Sequence, residues 1–185
     1  MSDRINKENG ELHMARNLVI YYSRSGQNYV DGEIVELEKG NTELVAEYIR
    51  DAVGADLFRI EPAKPYPEDY KECTEVAKKE LRESARPKLK EYLSDVRDYD
   101  NIVVAGPCWW GTFPCVIFTQ LERLKFRGTK VYPVMTHEGS GEGKCKQTMK
   151  ALCSGAKVQK PFAIKGSTVP AAREAIEGWA RKTLK

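Results

Sequence analysis

Three short apolar runs constrain the fold most: residues 17–22 (NLVIYY), 101–106 (NIVVAG) and 130–135 (KVYPVM). Each leads straight into a loop rich in glycine or small polar residues. A strand that is apolar at nearly every position is buried on both faces, which is the situation in a parallel sheet covered by helices on each side. Residues 56–60 (DLFRI) give a further strand, and residues 157–164 a last one, broken by Pro161. Proline cannot donate to a ladder, so that strand is expected at a sheet edge.

Between the strands the spacing turns helical. Residues 41–53 place Leu44, Val45, Tyr48, Ile49 and Val53 on one face, with Asn41 or Thr42 as the expected cap and Gly54 as the stop. Helices are also expected over 68–84, with a further turn after Pro87 to about 94, and over 114–124, 143–152 and 171–184. The alternation predicts one α/β domain over residues 17–185, a doubly wound parallel sheet with helices on both faces. Residues 1–16 are polar and read as a disordered or peripheral arm without the apolar centre of a secretory leader, with Met14 as an alternative start.

Charge and cysteine usage narrow the function classes. Lys and Arg number 30 against 27 Asp and Glu, a net charge of +3, and the signs interleave along stretches such as 71–90. That is a solvated helix face, so no nucleic-acid partner is expected. No apolar run reaches the roughly 18 residues of a membrane helix, so no membrane partner is expected either. The five cysteines (Cys73, Cys108, Cys115, Cys145 and Cys153) are odd in number and form no CxxC pair. Reduced thiols and a cytoplasmic location follow. With only His13 and His137 as histidines, no metal centre is expected.

In doubly wound sheets, ligands sit beyond the carboxyl ends of the strands. After the first strand come Ser23, Arg24, Ser25 and Gly26; the first helix starts later, at Gly40-Asn41-Thr42. Between them, Asp31-Gly32 reads as the turn of a hairpin. A loop split by a hairpin, with both halves meeting on one phosphate at the helix start, fits this order; an ordinary polar turn fits it equally. A GxxxxGK[ST] triphosphate loop is absent. The second loop, 106–114 (GPCWWGTFP), carries Trp109 and Trp110, whose faces suit stacking on an aromatic ligand. The competing reading has one of them in the core and the other against a helix. The third loop, 136–143 (THEGSGEG), offers backbone groups to the edge of a planar heterocycle, or is a surface loop. Together the loops suit a mononucleotide with a large tricyclic base. His137 is not assigned as a base, and no catalytic side chain is assigned.

These segments resemble the flavodoxins, most closely flavodoxin-like proteins with an insertion in the phosphate loop. Ser23-Arg24-Ser25-Gly26, resumed by Gly40-Asn41-Thr42-Glu43, looks like the S/T-x-S/T-G-N-T phosphate loop; Pro107 to Pro114 looks like the P-x-W-W-G flavin loop; and Thr136 to Gly143 looks like T-x-x-G-S-G-x-G. The resemblance implies a five-stranded sheet of order 2-1-3-4-5 and non-covalent FMN. It implies that Ser23, Ser25, Gly26, Asn41 and Thr42 hold the phosphate. It implies that Pro107, Trp109, Trp110, Gly111, Glu138, Gly139, Ser140 and Gly141 face the isoalloxazine. The implied function is electron transfer to a redox partner protein or a small-molecule acceptor. The positive net charge departs from the acidic character of small flavodoxins and brings forward an alternative, an FMN-dependent NAD(P)H:quinone or similar oxidoreductase. A non-catalytic α/β binding module is the third reading. It is disfavoured because no aspartates cluster at the strand ends.

Overall fold

The computed structural model describes residues 15–185. The expected arm, with Met14 and His13, therefore lies outside the described residues except for Ala15 and Arg16. In chain order the elements are β1 (Asn17–Tyr21), β2 (Gly26–Val30), β3 (Glu33–Leu37), α1 (Asn41–Val53), β4 (Asp56–Arg59), α2 (Tyr70–Arg82) and β5 (Asn101–Pro107). Then come α3 (Cys115–Leu121), β6 (Lys130–His137), α4 (Cys145–Leu152), β7 (Lys157–Val158), β8 (Phe162–Lys165), a 3₁₀ segment (Gly166–Ala171) and α5 (Arg173–Thr183).

The main sheet runs β4-β1-β5-β6, and β7 and β8 share the outer edge of β6. Every pairing in it is parallel. With the hairpin set aside, this is the expected order 2-1-3-4-5. The fifth position is split into two short strands because Pro161 interrupts the ladder between them. The fold is a flavodoxin-like α/β fold.

Period-two alternation divides the core. Leu18, Ile20, Ile102, Val104, Val131 and Met135 face α3 and α4, joined by Ile117, Leu121 and Met149. Val19, Tyr21, Val103, Ala105 and Val134 face α1 and α5 through Val45, Ile49, Ile176 and Ala180. Both sheet faces are thus dry, as the unbroken apolar runs require. The two cores clamp β1 and β5 side by side, and the loops beyond their carboxyl ends emerge together.

The hairpin forms as the sequence indicates. β2 and β3 pair antiparallel from Gly26↔Leu37 to Val30↔Glu33. Asp31 and Gly32 both have positive φ, 49° and 95°, the I′ geometry that matches strand twist.

Three local expectations need correction. Neither Asn41 nor Thr42 caps α1: the cap position is Gly40, and the Ser23 hydroxyl accepts the Glu43 N–H at 3.0 Å in its place. Residues 88–94 form no helical turn. Leu89 bridges Pro62, and the fully buried Gln120 side chain binds both backbone groups of Leu93, accepting at 3.0 Å and donating at 2.9 Å. A buried amide that binds both backbone groups of residue 93 outweighs the local helix propensity of its neighbours. α4 begins at Cys145 rather than 143, because Gly143 has a φ of 49°.

Gly40 is required by space, not by torsion. A Cβ there would lie 2.3 Å from both Arg24 O and Ser23 Oγ. Gly178 in α5 faces open space. Gly40→Ala is expected to lower the melting temperature by about 3–10 °C, from an overpacking cost of about 1–3 kcal/mol. Gly178→Ala should raise it slightly, since alanine is better than glycine inside a helix by roughly 0.5–1 kcal/mol. Thermal melts by circular dichroism decide; equal effects at the two positions would contradict the close approach at Gly40.

Candidate functional site

The three loops converge. Tyr22 N donates to Ala105 O at 3.1 Å, continuing the β1–β5 ladder, and Cys108 N donates to Thr136 O at 2.8 Å, continuing β5–β6. Just beyond, Ser23, Asn41, Thr42, Pro107, Trp109 and Glu138 line one narrow cavity of about 100 Å³. An adjoining recess of about 370 Å³ is walled by Trp109, Trp110, Gly111 and Ser140, with Thr74 and Ala77 of α2 opposite. The two share Arg24, Asn28, Tyr70, Cys108 and Trp109, so they form one groove. The larger part alone reaches the roughly 300–1,000 Å³ typical of small-molecule sites.

Not every expected site residue faces this groove. Ser25 lines neither part of the groove but a recess beside Arg59 and Ile60 that meets it at Ser23 and Arg24, and Gly26, at a φ of 75°, already opens the hairpin. Gly139 and Gly141 line neither part of the groove. Residues that the sequence reasoning did not pick out take their place: Asn28 and Tyr29 from the hairpin, Tyr70 from α2, and Gly166 after β8. Gly166 follows a strand's carboxyl end, so the rule that singled out the other loops also reaches it.

At the α1 end the donors are organised. Glu43 N is taken by Ser23, while the N–H groups of Asn41 and Thr42 belong to the first turn and have no intrahelical acceptor. The side chain of Thr42 turns away from the cap role and meets Thr136, hydroxyl to hydroxyl at 2.8 Å, both residues being buried. That contact ties the α1 start to the root of the third loop.

At the other end the second loop is a tight turn. Trp109 N donates to Thr112 O at 2.8 Å and Thr112 N to Trp109 O at 3.2 Å. The central residues Trp110 and Gly111 both have positive φ, 53° and 79°. A left-handed tryptophan costs about 1–2 kcal/mol. The indole offsets this by donating from Nε1 to Thr74 O at 3.0 Å beneath Lys78, whose Nζ is 4.9 Å from the ring centroid. Trp110 stays half exposed, whereas Trp109 packs edge-on against Tyr22 and Tyr66, with centroids 5.5 and 5.0 Å away. The third loop locks onto this turn: Lys144 N donates to Gly111 O at 2.8 Å, and a Cβ on Gly143 would be 2.4 Å from the same oxygen.

The hairpin bridges the groove. Its base is held by Arg24, which donates to Gln27 O, Pro67 O and Glu68 O at 2.8, 2.9 and 2.6 Å. Gln27 Oε1 accepts the Tyr70 N–H at 2.9 Å, and the Tyr29 and Tyr70 rings stack at 6.3 Å. At its tip Asp31 pairs with Lys165, and Asp31 N donates to Glu138 Oε2 at 3.3 Å.

The thiols at and near the groove are not activated. Burial pushes the Cys108 thiol up, partly offset by hydrogen bonds from the Ser140 hydroxyl and the Gly111 backbone. Burial likewise raises Cys115 to about 11 and Cys145 to about 12, so these are neutral thiols near pH 7. Burial lowers the pKa of His137, whose Nδ1 accepts the Gly139 N–H at 3.0 Å as a neutral ring must.

Fold and site together define a flavodoxin-like α/β protein with a groove at the carboxyl ends of its central strands. The flavodoxin family model matches residues 35–183, and the chain belongs to that family. Among solved structures, a protein of Bacteroides eggerthii described as a flavoprotein is 25% identical, with a TM-score of 0.66 over 88% of this chain and 98% of that one. A second, from Bacteroides uniformis, is 24% identical at a TM-score of 0.66, covering 89% and 97%. A Lactobacillus acidophilus flavoprotein in complex with FMN is 20% identical at 0.62, covering 85% and 97%. A search of curated proteins gives no match.

Two measurements probe this geometry. Thr42→Val should destabilise by about 1–3 kcal/mol, because the buried Thr136 hydroxyl loses its partner. Thr42→Val with Thr136→Val should cost less than the two singles summed, as read by urea unfolding; strict additivity would deny the pair. His137 should titrate below its ordinary 6.5 by NMR, and a midpoint above it would contradict the partial burial that disfavours its charged form. The sign follows: the contribution of His137 to stability is complete above pH 6.5 and fades as the pH falls through the lowered value.

Proposed function

We propose that the chain binds FMN non-covalently in the groove and serves electron transfer. The observation that carries this reading is the joint lining of one cavity by residues after β1, at the start of α1, after β5 and after β6. The donor set fits the group. First-turn N–H groups of Asn41 and Thr42, with the Ser23 hydroxyl free to donate, suit a phosphate at a helix start. Pro107, Trp109, Trp110, Gly111 and Ser140 offer an apolar, aromatic wall for a flat ring. Ser25, Gly26, Gly139 and Gly141 support the loops from outside the groove, and Glu138 sits at the phosphate end rather than over the ring.

Bound FMN supplies one- and two-electron redox chemistry, and the protein governs its access and energetics. Trp109, fixed by Tyr22 and Tyr66, keeps that wall rigid and dry. A dry wall disfavours added negative charge on the ring. The half-exposed Trp110 leaves one edge open to a redox partner protein or a small acceptor.

Membership of the flavodoxin family supports the cofactor, and the FMN complex of the Lactobacillus relative agrees with it. The second reading, an NAD(P)H-dependent oxidoreductase acting on a quinone or similar acceptor, draws support from the net charge of +3 and from the recess beside α2. Among the described residues no helix is long and apolar enough to cross a membrane.

The purified protein, or the apoprotein mixed with FMN, is expected to show a bound-flavin visible spectrum; a protein that stays colourless in FMN refutes the reading. NADPH added with a quinone separates the two functions: a carrier leaves NADPH unconsumed, and a reductase oxidises it. Asn41→Ala keeps the backbone N–H but removes the side-chain amide beside Gly166 in the same cavity; it should weaken FMN by about tenfold or more while sparing riboflavin, because a charge-assisted hydrogen bond to phosphate is worth about 1.5–3 kcal/mol. Trp110→Ala should weaken both flavins, and Trp179→Ala neither. Equal losses of FMN and riboflavin in Asn41→Ala, measured by fluorescence titration, would remove the phosphate assignment.

A further inference from the structure

Among the described residues Glu138 is the one carboxylate lining the narrow cavity, together with Ser23, Asn41 and Thr42. It is held there by backbone donors from two separate segments. Oε1 accepts the Ser167 N–H at 2.8 Å, and Oε2 accepts the Asp31 N–H at the hairpin tip at 3.3 Å. The floor beneath it is Gly166: a Cβ at that position would lie 2.5 Å from Glu138 Oε1 and 2.7 Å from Asn41 Nδ2. The carboxylate and the Asn41 amide therefore share one small space beside the start of α1. Backbone N–H groups at a turn and at a helix start are what an anionic oxygen seeks.

On the FMN reading, this is the end of the groove that receives the phosphate. A carboxylate and a phosphate monoester ask for the same donors and repel each other at close range. We infer that Glu138 is a resident anion: without flavin it fills the phosphate subsite, and FMN binds by displacing it and taking over the Ser167 and Asp31 N–H groups. The exchange forms and breaks hydrogen bonds only. Because Asp31 N is one of the shared donors, the hairpin tip stays satisfied before and after. Riboflavin, which lacks the phosphate, leaves Glu138 in place.

Glu138 thereby sets the discrimination between phosphorylated and unphosphorylated flavin, and it does so by reducing FMN affinity. The inference rests on the proposed cofactor, and its test separates the two. FMN and riboflavin are titrated into wild type and Glu138→Gln, with flavin fluorescence as readout and thermal melts confirming folding. Glu138→Gln keeps the size and an acceptor but removes the charge. FMN should then bind more tightly by on the order of tenfold, with riboflavin unchanged within about twofold. The gain should shrink in high salt, which screens the repulsion. Glu138→Ala should act in the same direction if the glutamine variant folds poorly.

An FMN:riboflavin affinity ratio equal to that of wild type overturns the inference while leaving FMN binding intact. A loss of affinity for both flavins also overturns it, since Glu138 would then be a direct contact to the shared ribityl chain. Failure of every protein to bind any flavin removes the proposed function, and this inference with it.

Discussion

The close approach at Gly40 is the constraint on which the rest of the site depends. The chain leaves β1 at Tyr21, makes a hairpin excursion, and returns to start α1 against the place it left. There is room for the return only because residue 40 carries no Cβ, which would stand 2.3 Å from Arg24 O. The Ser23 hydroxyl then caps α1 from across the join, at Glu43 N. An interrupted loop thus recovers the geometry of a continuous one, and the first-turn N–H groups of α1 face the ends of β1 and β5.

Side-chain and backbone contacts carry that alignment outward. The buried hydroxyl pair Thr42–Thr136 fixes the third loop to the start of α1, and Gly143 presses on Gly111 to fix the third loop to the second. The strained turn at Trp110 is held from α2 through Thr74. Each loop is therefore braced by at least one other, so the groove is preformed on rigid strands, and the hairpin is tied beside it through Arg24, Gln27 and the Tyr29–Tyr70 stack. Segments with few buried apolar contacts are where local opening is cheapest. The hairpin's base stays tied by Arg24 and its tip meets Glu138 and Lys165.

How legible this was in the sequence follows from which forces act locally. Residues 17–22, 101–106 and 130–135 declared a two-faced sheet because burial on both sides leaves no polar position to interrupt the run. Asp31-Gly32 declared its turn because few other pairs accept two positive φ values. Ser23 and Ser25 were indistinguishable in sequence, yet only Ser23 faces the groove, because Gly26 swings the chain into β2 immediately afterwards. Gln120 gave no signal, although its buried amide takes both backbone groups of residue 93 and cancels the turn expected there. Glu138 belongs to a loop whose likeness to a flavin loop implied contact with the ring. Two N–H donors distant in sequence, Asp31 and Ser167, hold its carboxylate in the narrow cavity beside the start of α1.

The central claim is that the start of α1 and the second loop receive opposite ends of one flavin mononucleotide. A crystal structure of the protein soaked or co-crystallised with FMN tests it most directly. The account predicts phosphate oxygens within hydrogen-bond distance of Asn41 N and Thr42 N, with the ring system against Trp109 and Trp110. FMN found reversed, or bound anywhere other than the carboxyl ends of β1, β5 and β6, would contradict it.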